Sequence, residues 1–202
     1  MMILRSAPPS PFGRKVKIAA GILGLGGALD VQPADTANPA DSLRQQNPLG
    51  KIPVLIAEDG AAYYDSRVIL EYLDHRAGGG KLFPRDPQTR FAVLRLQALC
   101  DGILDAAILQ IYEARFRPEE HRLQNWLDYQ ADKVRRALAV LEAAPPALTP
   151  LPDAGQVSLA CVLGYLDFRF AGEWRKDHPR LVAWLDRFAA QVPAYAATRP
   201  PG

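Results

Sequence analysis

The chain has 202 residues, of which 49% are hydrophobic and 23% are charged, with a formal net charge of +2 at pH 7 and a sequence pI of about 8.6. These values are typical of a globular protein with one large or two small domains, and they exclude a disordered chain. The arginines are scattered among acidic residues rather than clustered. We therefore expect no nucleic-acid partner.

The sequence also carries no signal for a membrane. Its uncharged run at residues 18–29 is too short to span a bilayer. The first residues lack a basic segment followed by an apolar core, so no signal peptide is predicted. We expect a cytoplasmic protein without a membrane partner.

Cys100 and Cys161 have neither a metal-binding spacing nor a Cys-x-x-Cys arrangement, which favours two buried free thiols, with a disulfide as the alternative.

The N-terminal third of the chain alternates strand and helix patterns. Ile3–Leu4 begin a strand, and Ser10 followed by Pro11 predicts the N-cap and first residue of a helix. Residues 29–31 predict a weak second strand, and residues 41–46 predict a weak second helix. Arg14, Lys15 and Lys17 are expected mostly on the polar faces of the first helix.

The stretch from Asn47 to Leu73 has the features of a binding site. Residues 54–56 and 61–64 predict a hairpin that turns at residues 58–60. Pro53 enters the first strand of this hairpin from a turn, which makes it a candidate cis proline that directs the backbone groups of Ile52 outward.

Asp65 and Ser66 precede an apolar pattern of helical period, so Ser66 is the expected N-cap of a third helix. A free helix N-terminus attracts carboxylates. Together with the strand-entry backbone and the acid at position 65, this arrangement is complementary to a small zwitterionic peptide.

The predicted order β-α-β-α-β-β-α is typical of a small mixed sheet with helices packed on its faces. The fold class is therefore α+β, with a sheet domain at residues 1–77, a linker at residues 78–87 and an all-α domain at residues 88–202. In the second domain, periodicity predicts helices over about residues 89–115, over residues 123–142, from Ser158 and from His178–Pro179. The tail from Pro193 is expected to lie on the surface.

Five motifs, taken in order, resemble a bacterial glutathione S-transferase of the serine type. They are Ser-Pro-Phe-x-Arg-Lys at residues 10–15, Asn-Pro-Leu-Gly-Lys-Ile-Pro-Val-Leu at 47–55, the Asp-Ser pair at 65–66, the change to an all-helical half, and His-Pro-x-Leu-x-x-Trp at 178–184. The resemblance covers nearly the whole chain. It implies a thioredoxin-like N-terminal domain, an all-α C-terminal domain, glutathione as the ligand and a homodimer.

The resemblance also implies roles for individual residues. Ser10 matches the hydroxyl that contacts the glutathione sulfur, and Ser6 is a weaker rival for that role. Ile52 and Pro53 match the backbone that pairs with the cysteinyl unit. Asp65 and Ser66 match the pair that holds the γ-glutamyl amine and carboxylate. Lys51 is either a ligand for the glycyl carboxylate or a solvated turn charge.

In one place the chain departs from the family pattern. The family commonly has Ser/Thr-x-x-Asp at the start of the helix that is expected here from Ser158, and this chain has Cys161 in place of the acid. The usual reciprocal cap is therefore not expected at that helix.

The resemblance predicts an enzyme of detoxification, a transferase that activates the glutathione thiol and conjugates it to a small, apolar electrophile. The alternative is a binding or regulatory protein that kept the fold without the chemistry. Other expected features are a second-substrate pocket lined by Tyr112, Arg115 and Phe116, and an approach of Asp101 to the partner subunit's glutathione. The three histidines form no ligand cluster, so no metal is predicted.

Overall fold

The structure, a computed structural model that describes residues 1–201, begins with a region of alternating strands and helices. Its elements are β1 (Met2–Ser6), α1 (Pro11–Ile22), β2 (Leu29–Pro33), α2 (Leu43–Gln46), β3 (Val54–Ile56), β4 (Ala62–Tyr63) and α3 (Ser66–Arg76). This confirms the predicted β-α-β-α-β-β-α order and the thioredoxin-like domain.

The rest of the described chain is helical. Its helices are α4 (Pro87–Phe116), α5 (Gln124–Ala143), α6 (Ala154–Arg169), α7 (Pro179–Gln191) and α8 (Pro193–Ala197). None of the helices within residues 1–201 is both long and apolar enough to cross a membrane. The expected α+β fold class, with an all-α second half, is confirmed.

The four strands form one mixed sheet in the order β2-β1-β3-β4. β1 is parallel to β2 and antiparallel to β3, with Arg5 opposite Val54, and β3 is antiparallel to β4, with Leu55 opposite Tyr63. The end of β1, the start of β3 and the end of β4 therefore meet at the same edge of the sheet. The loops and helix starts that follow or precede these three strand ends are brought together there.

Helices α4 and α6 lie side by side and run antiparallel to α1. At one end, a Cβ on Gly155 would lie 2.9 Å from Leu96, and Leu23 of α1 shares a buried cluster with Val93 and Ala154. Further along, Gly164 of α6 faces Arg14, and Asp101 of α4 pairs with Lys15. The C-terminal ends of α4 and α6 therefore point toward the N-terminus of α1, where Ser10 lies.

The start of α6 differs from the prediction. The helix begins at Ala154, where the Asp153 carboxylate accepts from the Gln156 N–H at 2.9 Å and the Gln156 side chain returns to the Asp153 backbone. Ser158 is an interior residue of the helix and donates to the Ala154 carbonyl at 2.7 Å. The helix thus has a complete capping box whose cap lies five residues before the expected cap at Ser158, and Cys161 does not lie at its terminus.

The C-terminal tail lies at the surface as predicted, except for one buried residue. Tyr195 on α8 is buried, and its carbonyl accepts a hydrogen bond from Arg14 at 2.7 Å. The Arg14 guanidinium lies 4.1 Å from the centre of the Tyr195 ring. The tail is therefore anchored on α1 by a hydrogen bond and a cation–π contact.

The segment between α3 and α4 is held by one carboxylate. Asp74 of α3 accepts from the backbone N–H groups of Gly80, Lys81 and Leu82 at 2.8–3.0 Å. Helix α4 begins at Pro87, the last residue of the predicted linker, and the domain boundaries at residues 77 and 88 stay predictions.

Cys100 and Cys161 are both free and buried, as the favoured interpretation expected.

Candidate functional site

Ser10 is the N-cap of α1 at the shared edge of the sheet. Its side-chain oxygen accepts from the Gly13 N–H at 3.1 Å, and Pro11 occupies the first turn, as the sequence predicted. Among residues 1–201, the Ser10 hydroxyl donates to no acceptor. A half-buried hydroxyl at a helix N-terminus therefore has its proton available for a ligand.

The rival hydroxyl of Ser6 is in a different position. Ser6 ends β1 and is 2% exposed, and its oxygen has no hydrogen-bond partner within the described residues. It lies directly beneath Gly13, so close that a Cβ at that position would collide with it. The Ser6 side chain is thus buried against α1, whereas Ser10 lies half-buried at the N-terminus of that helix.

The Ile52–Pro53 peptide bond is cis, as the sequence suggested. Pro53 is buried directly before β3, and no hydrogen bond within residues 1–201 engages the Ile52 backbone. The preceding residue, Lys51, has an exposed side chain, and its carbonyl accepts from Asn47 Nδ2 at 2.9 Å. The Ile52 backbone groups are therefore available at the same edge as Ser10.

The acid-serine pair also lies at this edge, although the cap is not the residue expected. Asp65 is the N-cap of α3, because its Oδ1 accepts from the Arg67 N–H at 2.9 Å, and Ser66 is the buried first residue of the helix. The prediction of Ser66 as the cap was therefore wrong by one residue. A carboxylate accepts such a bond as well as a serine does.

Arg67 holds the Asp65 side chain in place. Its guanidinium bonds both oxygens of Asp65, the shorter contact being 2.8 Å. Burial raises the pKa of Asp65, but the side-chain and backbone hydrogen bonds from Arg67 outweigh this and lower it overall. Asp65 is therefore an oriented carboxylate beside the free N-terminus of α3.

A buried ion pair lies behind this edge. Lys15 has a fully buried side chain, and its Nζ lies 2.6 Å from Oδ1 of Asp101 on α4. The other oxygen of Asp101 has no hydrogen-bond partner among the described residues and lies 4.0 Å from Arg67 Nε. Burial raises the pKa of Asp101, while Lys15 and Arg67 act in the opposite direction. Four charges of alternating sign thus connect α4, α1 and α3.

Two of the three charges in α1 were not placed correctly by helical periodicity. Arg14 and Lys15 were both expected mostly on the polar faces of the helix. Both are buried, and Arg14 points to α8 instead. Asp101 is bound within its own chain, and its approach to a partner subunit stays a prediction. Neither Lys15 nor Arg67 was singled out as a site residue, because a charge on a helix usually indicates a solvated face.

Tyr112, Arg115 and Phe116 lie together at the C-terminal end of α4. The rings of Tyr112 and Phe116 meet edge to face at 5.2 Å, and the Arg115 guanidinium lies 5.2 Å from the centre of Phe116. Tyr112 is 40% exposed and Phe116 is 66% exposed.

Two cavities, of about 780 and 460 Å³, lie elsewhere, against α7 and between α6, α7 and α8. Among residues 1–201, no group of acidic, histidine or cysteine side chains is placed to hold a metal ion.

Comparison with known proteins agrees with this arrangement. Residues 4–81 match the family model of the glutathione S-transferase N-terminal domain, and residues 107–187 match that of the C-terminal domain. The chain is 34% identical over 196 residues to YibF, an uncharacterised GST-like protein of Escherichia coli K12, with 95% of each chain covered. The chain belongs to the glutathione S-transferase family.

Solved glutathione transferases have the same fold over their full length. A family member from Pseudomonas fluorescens Pf-5 with bound glutathione is 44% identical, with 100% of both chains covered and a TM-score of 0.91. A structure from the same organism with bound S-(propanoic acid)-glutathione is 45% identical over all of both chains, with a TM-score of 0.89. The resemblance to a glutathione S-transferase is thus confirmed at the level of the family, and the serine type stays a prediction.

The buried pair of Lys15 and Asp101 generates a prediction about stability. Lys15→Met should reduce the free energy of unfolding by about 3–5 kcal/mol, because it leaves Asp101 buried without its counter-ion. Chemical denaturation measures the change. The double variant Lys15→Met/Asp101→Leu, which removes both charges, should recover most of the loss.

The deficit of Lys15→Met should also shrink as the pH falls from about 7.5 to about 5. Without Lys15 the folded-state pKa of Asp101 rises further above its unfolded value, so the folded state binds the proton more tightly and gains stability on acidification. A deficit that is small, or equal at both pH values, would show that the pair is not needed to neutralise a buried charge.

Proposed function

We propose that this protein is a glutathione transferase that stabilises the glutathione thiolate through Ser10 and conjugates it to a small electrophile with an apolar body. The observation that carries the proposal is the free Ser10 hydroxyl, which lies at the same sheet edge as the Ile52 backbone and the Asp65–Ser66 pair. Three different kinds of group therefore face one position, and each has a counterpart in the tripeptide.

The γ-glutamyl end of glutathione binds at the start of α3. Its carboxylate receives hydrogen bonds from the helix N-terminus and the Ser66 hydroxyl, and its ammonium group pairs with Asp65. The cysteinyl unit pairs with the Ile52 backbone beside Pro53. Lys51 has an exposed side chain that can reach the glycyl carboxylate. The bound glutathione in the Pseudomonas fluorescens relative supports this assignment of the ligand.

The chemical step requires an anionic sulfur. A free thiol has a pKa near 8.5 and is mostly protonated at neutral pH, whereas the thiolate is the nucleophile. Lowering that pKa by about two units requires roughly 2.7 kcal/mol of preferential stabilisation of the anion. A hydrogen bond from Ser10 and the positive end of the α1 dipole together supply an energy of this size.

A homodimer is part of the proposal. An exposed stripe on α4 contains Phe91, Ala98, Gly102 and Asp105 and runs beside Asp101. Val68, the neighbour of Arg67, is 46% exposed on α3, and Phe91 is 69% exposed. This face exposes Phe91, and aromatic residues are enriched at the cores of subunit interfaces. A cytoplasmic location and a role in detoxification stay predictions from the sequence.

For glutathione binding, we expect Asp65→Asn and Ser66→Ala each to weaken affinity at least about tenfold, because each removes a charge-assisted hydrogen bond. Asparagine preserves the N-cap of α3, so the Asp65 variant keeps its fold. Titration calorimetry measures the affinity. Asp59→Asn, at the exposed hairpin tip, is the matched control, and equal affinities in all four proteins would remove this pair from the site.

For catalysis, Ser10→Ala should leave glutathione affinity largely intact while kcat falls by about tenfold or more and the pH–rate midpoint moves up toward the free thiol value. Ser10→Thr keeps a hydroxyl and should retain part of the activity. The direct measurement is the thiolate absorbance of bound glutathione as a function of pH. If wild type and Ser10→Ala titrate together while Ser6→Ala is shifted, the assignment moves to Ser6. Glutathione binding without turnover of any electrophile would indicate the non-catalytic alternative.

For assembly, light scattering at micromolar concentration should give the mass of a dimer. Val68→Ser/Phe91→Ser should dissociate it, because the pair removes the large apolar side chains from the proposed face. Val140→Ser provides the control, since Val140 is 64% exposed on α5, outside this face. A wild-type protein that is monomeric would end the assignment of an interface.

A further inference from the structure

Two arginines without carboxylate partners lie at the ends of the helices that point toward Ser10. Arg115 belongs to the last turn of α4, and Arg169 is the last residue of α6. Among residues 1–201, no carboxylate lies within 4.0 Å of either guanidinium. Both side chains are exposed, so their charges are available to a ligand.

The acids nearest to them in sequence are already engaged elsewhere. Glu113 lies 3.2 Å from Arg117 and accepts from the Leu123 N–H at the same distance. Asp167 bonds Arg175 through both of its oxygens and also accepts from the Trp174 indole at 2.9 Å. Arg115 and Arg169 therefore have no internal counter-ion available on their own helices.

An aromatic surface surrounds the two guanidinium groups. Arg115 lies over the Tyr112–Phe116 pair, and the Arg169 guanidinium lies 4.3 Å from the centre of the Phe168 ring. Tyr165 of α6 is a neighbour of both Arg169 on its own helix and Tyr112 on α4. Burial raises the pKa of its hydroxyl, Arg169 lowers that pKa and Tyr112 raises it. Leu109, 38% exposed, extends the apolar surface by one turn along α4.

The direction of the helices brings this surface to the reacting end of the proposed glutathione site. Gly164 faces Arg14, and Arg169 lies about 7.5 Å further along α6, while Ser10 lies about 6 Å back along the antiparallel α1. On α4, Asp101 faces Lys15, and Tyr112 lies about 16 Å further in the same direction. Arg169 therefore lies close to the level of the Ser10 hydroxyl, and the Tyr112–Phe116 pair with Arg115 lies about 9–14 Å beyond that level along α4.

We infer that Arg115 and Arg169 bind a carboxylate of the electrophilic substrate, and that the enzyme selects electrophiles that combine an aromatic or apolar body with an acidic end. Guanidinium groups bind carboxylates with a matching planar geometry, and they stack on aromatic rings such as those beside them here. This inference rests on the proposed transferase function and narrows its substrate class.

The test uses two electrophiles that differ only in charge, 4-chloro-3-nitrobenzoate and 4-chloro-3-nitrobenzamide. In each reaction the glutathione sulfur bonds to the ring carbon that carries chlorine, the carbon–chlorine bond breaks, chloride leaves with the electron pair and the thiol proton passes to solvent. The ratio of kcat/KM for the acid to that for the amide, each divided by its uncatalysed rate, measures selection of the carboxylate.

We expect a wild-type ratio of at least about ten, and a fall of about tenfold in Arg169→Gln and in Arg115→Gln, as loss of a charge-assisted hydrogen bond predicts. Arg169→Lys, which keeps the charge, should retain a preference for the acid. Arg95→Gln is the matched control, because Arg95 is an exposed arginine of the same helix about 30 Å from Arg115. A ratio near one in wild type, or a ratio that neither glutamine variant changes, would overturn the inference.

Calorimetry with the two conjugation products makes the test independent of turnover. The glutathione conjugate of the benzoate should bind about tenfold more tightly than that of the benzamide, and Arg169→Gln should abolish the difference. Equal binding of both conjugates overturns this inference alone. If glutathione and both conjugates fail to bind, the proposed function fails with it.

Discussion

The contact between Lys15 and Asp101 determines how the two halves of this protein meet. Removing a lysine from water is costly, and only a carboxylate held at hydrogen-bond distance offsets that cost. Asp101 supplies this carboxylate from α4, so the fully buried side chain of Lys15 fixes α1 against the helical half at one level. The antiparallel course of α4 and α6 then brings their C-terminal ends toward the start of α1.

The same contact reaches the opposite side of the proposed site. The second oxygen of Asp101 faces Arg67 at 4.0 Å, and Arg67 in turn orients Asp65. The alternating charges are close to neutral as a group, so they stabilise geometry more than they create a field. Because the sheet register brings the ends of β1, β3 and β4 to one edge, this charged chain holds α1 and α3 with both N-termini directed at that edge.

Sequence reasoning located the parts of the site that depend on local signals. Ser10 before Pro11 and the proline that enters β3 each fix the backbone within a few residues, and the structure has both where they were expected. The polar pair at residues 65–66 does begin α3, with the cap one residue earlier than expected. Errors arose where a tertiary contact decides. Ser158 was taken for a cap because Asp153 lies in a proline-containing loop, and the tail from Pro193 gave no sign that its Tyr195 carbonyl would accept from Arg14. Lys15 was missed because its partner is 86 residues away in the chain.

These contacts also decide which groups act on a bound sulfur. Arg14 is directed to α8, and the charge of Lys15 is opposed by Asp101 at 2.6 Å, so neither of these two cations adds a strong field at Ser10. The fields of two opposite charges that lie this close together largely cancel at larger distances. A hydrogen bond, in contrast, acts on the one atom that it contacts. The start of α1 retains unpaired N–H groups, with Ser10 as the nearest hydroxyl. Stabilisation of a thiolate at this edge therefore depends on one hydrogen bond and on the helix terminus, and the cations that the sequence places nearby serve the fold.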